Sequence, residues 1–486
     1  MAEIRSKGYI TAVQEEAVYG AGLDRTVTDA SAARTVASPV ALTGTVQEST
    51  VLCVNDTTST TLVLDTDYTV TVAAGITTVT FIAGTNFTDS DLVTITYGVW
   101  ADADVILTDT GSYMTTDITA LERDTANGSF FNCPSLSGTE TTAGTITSDV
   151  LVKTDGKLNN HYLIKSGMGA YTVAGANKFA SSQYTLATPK ADVDIAVYGA
   201  LSEADIKVYK GTDSTGTLMT VTTDYTVTTV SGVITVSIVS TSVNWADGDS
   251  VFIASPNSYA VSEVATGTGA GELYKFSQPS DAAVSLVLRQ YLGGTSTVVR
   301  DYNGIIPNSI TFNLTAGELA KVDVDLGGTE TEVASSGQNV LTKASCGDGA
   351  FSVKRAVIVQ DGTVLSDASD VVFTCENTVT DVNGVESDGI SRRVVVGKSY
   401  MCSFTPLISS TTGNDNLAKF QQNSVISIYF ELENPQGDKF ALYLPNGRIT
   451  SLGQTDDGGL AREPIEVGGF EDATGEAGYL YVEYRA

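Results

Sequence analysis

Residues Asp67–Phe81 read DYTVTVAAGITTVTF, and residues Asp224–Ile238 read DYTVTTVSGVITVSI. In the first, Tyr68, Val70 and Val72 alternate with Thr, Gly75 interrupts, and Val79 and Phe81 resume the alternation. Period two is the pattern of a half-buried strand, and a glycine between two such runs suits a tight turn. Each stretch therefore predicts strand, turn, strand.

The likeness extends outward from this point. PVALTG at Pro39–Gly44 matches DIAVYG at Asp194–Gly199, and Phe87, Asp89, Asp91, Val93 and Ile95 match Trp245, Asp247, Asp249, Val251 and Ile253. The offset drifts from 155 to 158 residues, which places small insertions in turns, where strand proteins tolerate them. Each copy is a unit of about 60 residues, Pro39–Gly98 and Asp194–Ala254, read as a small antiparallel sandwich of about five to six strands. Two copies so far apart do not make a solenoid, which stacks neighbours in tandem. They read as duplicated modules inserted into another fold.

The rest of the chain is also strand-rich: SLVLRQY (Ser285–Tyr291), SITFNL (Ser309–Leu314), AKVDVDL (Ala320–Leu326), VISIYFEL (Val425–Leu432) and FALYL (Phe440–Leu444). Asn303-Gly304, Asn446-Gly447 and Gly327-Gly328 read as turns between them. Helix signals are confined to KLNNHYLIKSGMG (Lys157–Gly169), which ends on glycine, and NDNLAKFQQ (Asn414–Gln422), with Asn414 as N-cap. The division is 1–38, an N-terminal arm and start of the core; 39–98, module 1; 99–190, core; 191–262, module 2; and 263–486, core again.

Composition agrees with a β protein. The chain has 486 residues, 42% hydrophobic and 17% charged, with 46 Gly and 21 Tyr. Lys and Arg number 27 against 57 Asp and Glu, a net charge of −30. That excess argues against nucleic-acid binding by counterion release, which needs basic patches. Cys53, Cys133, Cys346, Cys375 and Cys402 are scattered and odd in number, so they read as reduced thiols and not as a disulfide framework or zinc site. The opening MAEIRSKGYITAVQEEAVYG lacks an apolar leader and no long apolar run follows, which predicts synthesis in the cytoplasm and no membrane span.

Motifs for chemistry are sparse. His161 is the single histidine, so a histidine metal site or triad has little to work with and a structural role is expected. Asp89/Asp91 and Asp247/Asp249 recur at one point of both modules; alternate aspartates can ligate calcium, but the twelve-residue loop with terminal Glu is absent, and turn carboxylates are expected. Gly248-Asp249-Ser250 reads as a turn into a strand and not a nucleophile box. Gly267–Gly271, GTGAG, precedes a strand and not a helix, which fits a linker and fails the context of a dinucleotide fingerprint. No catalytic, cofactor-binding or metal residues are assigned, and a non-enzyme is expected.

Outside the modules, AVQEEAVYG (Ala12–Gly20), PSLSGTETTAGTITSDVLV (Pro134–Val152) followed by HYLIKSGMGAYT, the pair GTVLSDASDVVFTCEN (Gly362–Asn377) and GISRRVVVGKSYMCSF (Gly389–Phe404), and FALYLPNGRIT occur in an order that resembles bacteriophage tail tube proteins. The resemblance implies a β-sandwich or barrel core with a flanking helix, whose subunits form rings that stack into a hollow tube for DNA. It implies a structural virion protein of the tail. Its partners would be other copies of itself, as a trimer with pseudo-sixfold symmetry or a hexamer, together with the tape measure, tail terminator and baseplate or tip. DNA would pass without sequence-specific binding, and the modules would decorate the exterior. The core, about 360 residues without the modules, is roughly double the smallest tube fold, which leaves either long loops and arms or a duplicated fold. The shared layout of PNSITFNLTAGELAKVDVDLGG (307–328) and PNGRITSLGQTDDGGLAREPIEVGG (445–469) favours duplication. The alternatives are an extracellular adhesin or surface-layer protein, which would need an export signal, and a carbohydrate-active enzyme, which would need a carboxylate pair.

Overall fold

The computed structural model describes residues 10–16, 26–121, 136–153, 157–173, 178–179, 182–198, 206–212, 216–230, 233–254, 271–277, 284–292, 298–333, 341–342, 349–354, 356–360, 363–365, 368–383, 390–408, 412–471 and 476–483. The chain is mainly β, with several antiparallel sheets and two α-helices among these residues.

Both repeated stretches are hairpins. Tyr68–Ala73 pairs with Ile76–Phe81, and Tyr225–Val230 with Val233–Ile238. Gly75 sits at φ 81°, in the left-handed region that glycine enters without a Cβ clash. In the first module this hairpin and Val40–Ala41 form one sheet, which faces a second sheet ordered Thr26–Ala33, Leu92–Trp100, Thr45–Asn55, Thr60–Thr61. The second module repeats the facing sheet as Ser182–Thr185, Ser250–Ala254, Lys207–Lys210, Thr217–Leu218. Each module has its own apolar cluster, around Val79, Phe81 and Phe87 in one and Val236, Ile238 and Trp245 in the other.

Strand pairing also takes each module upstream of the repeated sequence. Thr26–Ala33 lies before residue 39 and Ser182–Thr185 before residue 191, yet each is the outer neighbour of its module's last strand. TVTDASAA and SQYT share no pattern, because an edge strand is held by its backbone. The first module's ends meet, since Thr26 and Gly98 are register partners. Just beyond, Trp100 lies against the guanidinium of Arg289, which is fully buried and forks onto Asp301 through two 2.6 Å hydrogen bonds.

The core elements, in chain order, are β1 (Ile10–Glu15), β2 (Tyr113–Leu121), β3 (Leu136–Asp149), α1 (His161–Met168), β4 (Leu286–Leu292), β5 (Val298–Leu314), β6 (Lys321–Gly328), β7 (Glu330–Val333), β8 (Val357–Gln360), β9 (Ser369–Asn383), β10 (Ile390–Thr405), α2 (Thr412–Gln422), β11 (Ile426–Glu433), β12 (Lys439–Leu452), β13 (Ile465–Gly469) and β14 (Glu476–Glu483). They fall into two halves with one pairing scheme. In the first half β1 pairs with β4, β4 with β5, β5 with β6 and β7, β2 with β3, and β3 with β6. In the second, β8 pairs with β11, β11 with β12, β12 with β13 and β14, β9 with β10, and β10 with β13. Helix α1 precedes β4 as α2 precedes β11. A single apolar cluster, including Ile310, Phe312, Phe373, Phe430 and Phe440, runs through both halves.

The equivalence holds at residue level. β5 slips register between Pro307 and Ser309 against β6, and β12 slips between Ile449 and Ser451 against β13, so Ser309 opposite Asp325 corresponds to Ser451 opposite Glu466. The equivalent residues are therefore 142 apart (451 minus 309), whereas matching Pro307 to Pro445 sets them 138 apart. Both modules occupy connections of the first half, after β1 and after α1. The same connections in the second half, from Gln360 to Ser369 and from Gln422 to Ile426, are short.

Three expected turns are not turns. Asn303-Gly304, Gly327-Gly328 and Asn446-Gly447 lie inside β5, β6 and β12. β5 lies against β4 and β7 up to Ile305, then passes between β6 and β9. A strand that changes neighbours needs a bulge at the crossing. Asn303-Gly304, with Gly304 at φ 64°, is that bulge. Both expected helices are present, α1 ending on Gly169; α2 starts before Asn414, which lies in its first turn and is not its N-cap.

Candidate assembly surface

The singled-out residues hold the fold. His161 is buried, with Nδ1 at 2.7 Å from Tyr274 Oη and 3.2 Å from Glu272, and Tyr274 donates to Glu272 at 2.9 Å. This ties α1 to Gly271–Ser277. Asp89 and Asp247 accept the N–H of Val36 and Lys190. Asp91 accepts Thr88 N–H and Asn55, and Asp249 accepts Ala246 N–H and pairs with Lys210. The Thr88 N–H, with Asn55 and the Thr88 hydroxyl, holds the Asp91 carboxyl below its ordinary value against burial. These oxygens close turns. Ser250 opens a strand, Gly271 opens another, and residues 267–270 lie outside the described residues.

Sequence reasoning missed the acid of the DY pair itself. Asp67 Oδ2 accepts Val63 N–H at 2.9 Å and also Asn86; Asp224 Oδ2 accepts Thr220 N–H at 2.8 Å, while its Oδ1 accepts Ser242 and Asn244. The following tyrosines reach across to the facing sheet, Tyr68 to Val51 O at 2.7 Å and Tyr225 to Ile206 O at 3.4 Å. The recurrence of DY at one offset was the available signal. Burial pushes the thiols of Cys53 and Cys375 up to about 12, and that of Cys402 up as well, so they stay protonated and unreactive. Cys133 and Cys346 lie outside the described residues.

Among the described residues one face of the core sheet forms a broad surface across eight strands, ordered β2, β3, β6, β5, β9, β10, β13, β12. Alternate residues point to the apolar core: Ile146, Val324, Ile310, Phe373, Cys402 and Val467. Their neighbours on the other face are Thr145 and Thr147, Asp323 and Asp325, Ser309 and Thr311, Thr374 and Glu376, Ser403, and Glu466. Hydroxyls and carboxylates predominate on the face, interrupted by Val372, by Tyr113 and Met401, which are 49% and 44% exposed, and by the exposed Arg448. Its Lys321 is engaged by Asp109 at 2.5 Å.

The halves meet at two ladders: outside this sheet Gly271–Ser277, which precedes β4, with β14, and within it β5 with β9, where Ser309 stands opposite Glu376 and Phe312 opposite Phe373. The helix reinforces the junction. Lys398 donates to Gly167 O and Met168 O at 3.1 and 2.9 Å, and Asn377 donates to Gly167 O and Pro307 O at 3.2 and 2.8 Å. A cation at a helix C-terminus meets the negative end of its dipole.

Known protein-family models and curated protein sequences give no match to this chain. Among the described residues no helix is long and apolar enough to cross a membrane, and no three His, Cys, Asp or Glu side chains gather as a metal site requires.

Proposed function

We propose that the chain is a structural subunit whose copies close into rings, and that the rings stack as the tail tube of a bacteriophage, with DNA passing along the bore. The observation that carries this reading is the duplicated core: one chain holds two copies of a fold, already joined side by side through β5 and β9. A contact between unlike surfaces of like units propagates, and it closes into a ring when the rotation permits. Three chains then supply six folds, the trimer with pseudo-sixfold symmetry. The Thr-, Ser-, Asp- and Glu-bearing face supports the conduit role, because carboxylates on a bore repel phosphate and leave DNA free to slide. The modules, inserted at connections, stand outside the ring as decoration.

Negative-stain microscopy with mass measurement of concentrated protein tests this. The expected result is rings of three chains with six-lobed projections, stacking into tubes. A chain that stays monomeric from micromolar to millimolar concentration overturns it.

A further inference from the structure

The first half offers a strand, β2, equivalent to β9, and the second half offers a strand edge, the end of β12, equivalent to the part of β5 that pairs with β9. Within one chain these two have not met. Among the described residues β2 is laddered only to β3, and the β12 end only to β13, with Thr455–Asp457 continuing the same hairpin against Leu460–Arg462. We propose that β2 of one copy pairs with the end of β12 of the next, in the register of the β5–β9 ladder. The proposal rests on the ring reading above.

The register follows from the ladders. Met114 faces Gly144 as Phe373 faces Cys402, so β2 and β9 correspond at an offset of 259 (373 minus 114). Glu376 then corresponds to Asp117, and Ser309 to Ser451. The in-chain pair Ser309–Glu376 becomes Ser451–Asp117 between chains, again a hydroxyl opposite a carboxylate. Both residues are exposed.

An independent observation meets this one. Asn377, which holds the C-terminus of α1 across the in-chain junction, corresponds to Ile118. The equivalent helix at the open junction is α2, where Leu417 and Phe420 are 45% and 40% exposed, and Ile118 is itself 51% exposed. The register brings Ile118 of one copy toward α2 of the next. Three large apolar side chains in water on one chain thus acquire a common cover, which is the feature expected of an unfilled interface.

The test is disulfide trapping in the full chain. Antiparallel partners have Cα atoms about 4.5–5.5 Å apart, within the range a disulfide spans. Asp117→Cys with Ser451→Cys should, under mild oxidation, give covalent dimers and trimers on a non-reducing denaturing gel. Neither single variant should do so, and Tyr113→Cys with Ser451→Cys, four residues off register, should give at least tenfold less. Ser309→Cys with Glu376→Cys is the in-chain control and should lock without changing chain number. Rings by microscopy that fail to cross-link at Asp117–Ser451 while the control locks overturn the register and leave the ring reading standing. Absence of rings in the unmodified protein overturns the ring reading. Ile118→Asp should raise the concentration needed for half assembly at least tenfold; unchanged assembly overturns the role given to α2.

Discussion

Gln290 holds the backbone of Met114: its side-chain oxygen accepts the Met114 N–H at 3.2 Å, and Tyr302 Oη donates to the Met114 carbonyl at 3.3 Å. Met114 lies on β2, and its equivalent Phe373 is laddered to Phe312 of β5. A side-chain amide and a phenol thus stand where the second half has a strand. A bare strand edge invites uncontrolled pairing, and closing it with side chains of the same molecule is one way to manage it.

Gln290→Leu should therefore leave the Met114 N–H unsatisfied in the lone chain and destabilise it by about 1–3 kcal/mol. Under the proposed pairing Gln454, just beyond β12 of the neighbouring copy, comes opposite Met114 and its backbone can take up the orphaned N–H, so the loss should shrink on assembly. Urea midpoints of unassembled and assembled protein measure the difference; equal losses in both states would remove Gln290 from any role at the edge.

The buried carboxylate of the repeated DY pair sets a second expectation. Burial raises the Asp224 carboxyl, but hydrogen bonds from Ser242, Thr220 N–H and Asn244 outweigh it and hold the group below its ordinary value. A depressed folded value means the unfolded chain binds the proton more readily. The stabilisation is then present above the unfolded value, about 3.9, and is lost as pH falls through the folded value. Asp224→Asn should remove this group's share of the acid-side dependence of module 2, leaving the shares of Asp192 and Asp249, whose carboxyls are also held below their ordinary value, and Asp224→Ala should destabilise it by about 1–3 kcal/mol by orphaning Thr220 N–H. Hydrogen exchange over 217–251 in the full chain, followed from pH 7 downward, reads both.

Module 1 should be removable at the point where its ends meet. Deleting Val27–Tyr97 and joining Thr26 to Gly98 through a short Gly-Ser bridge spans register partners, whose Cα atoms lie about 5 Å apart, and keeps Trp100 against Arg289. Ring formation should be unchanged by microscopy. Deleting only 40–97, the boundary the repeat suggests, strands Thr26–Ala33 without its partner and should yield aggregating protein. Loss of rings from the longer, cleaner excision would place the module in the ring contact.

The hairpins were legible in the sequence because a buried face forces period two and a tight turn admits glycine. The upstream strands of both modules were not, since Thr26–Ala33 and Ser182–Thr185 are edges held by backbone hydrogen bonds that constrain side chains little. Asn-Gly misled for a related reason: the dipeptide signals a backbone able to enter the left-handed region, and a mid-strand bulge uses that ability as readily as a turn. The duplicated core was visible only as two similar layouts. Matching the two Pro-Asn pairs misplaces the copies by four residues, because Pro307 faces Leu326 within the sheet while Pro445 sits where β12 slips past β11. The acids of the polar face follow from strand alternation, but which strands share that face depends on ladders between residues far apart in sequence.

The two module-bearing connections of the first half recur, short and empty, in the second. The chain therefore has four equivalent docking ports, two of them loaded. A domain whose ends lie as close as Thr26 and Gly98 could be plugged into the Gln422–Ile426 connection, and the proposed ring of three chains would then carry a chosen cargo at threefold spacing.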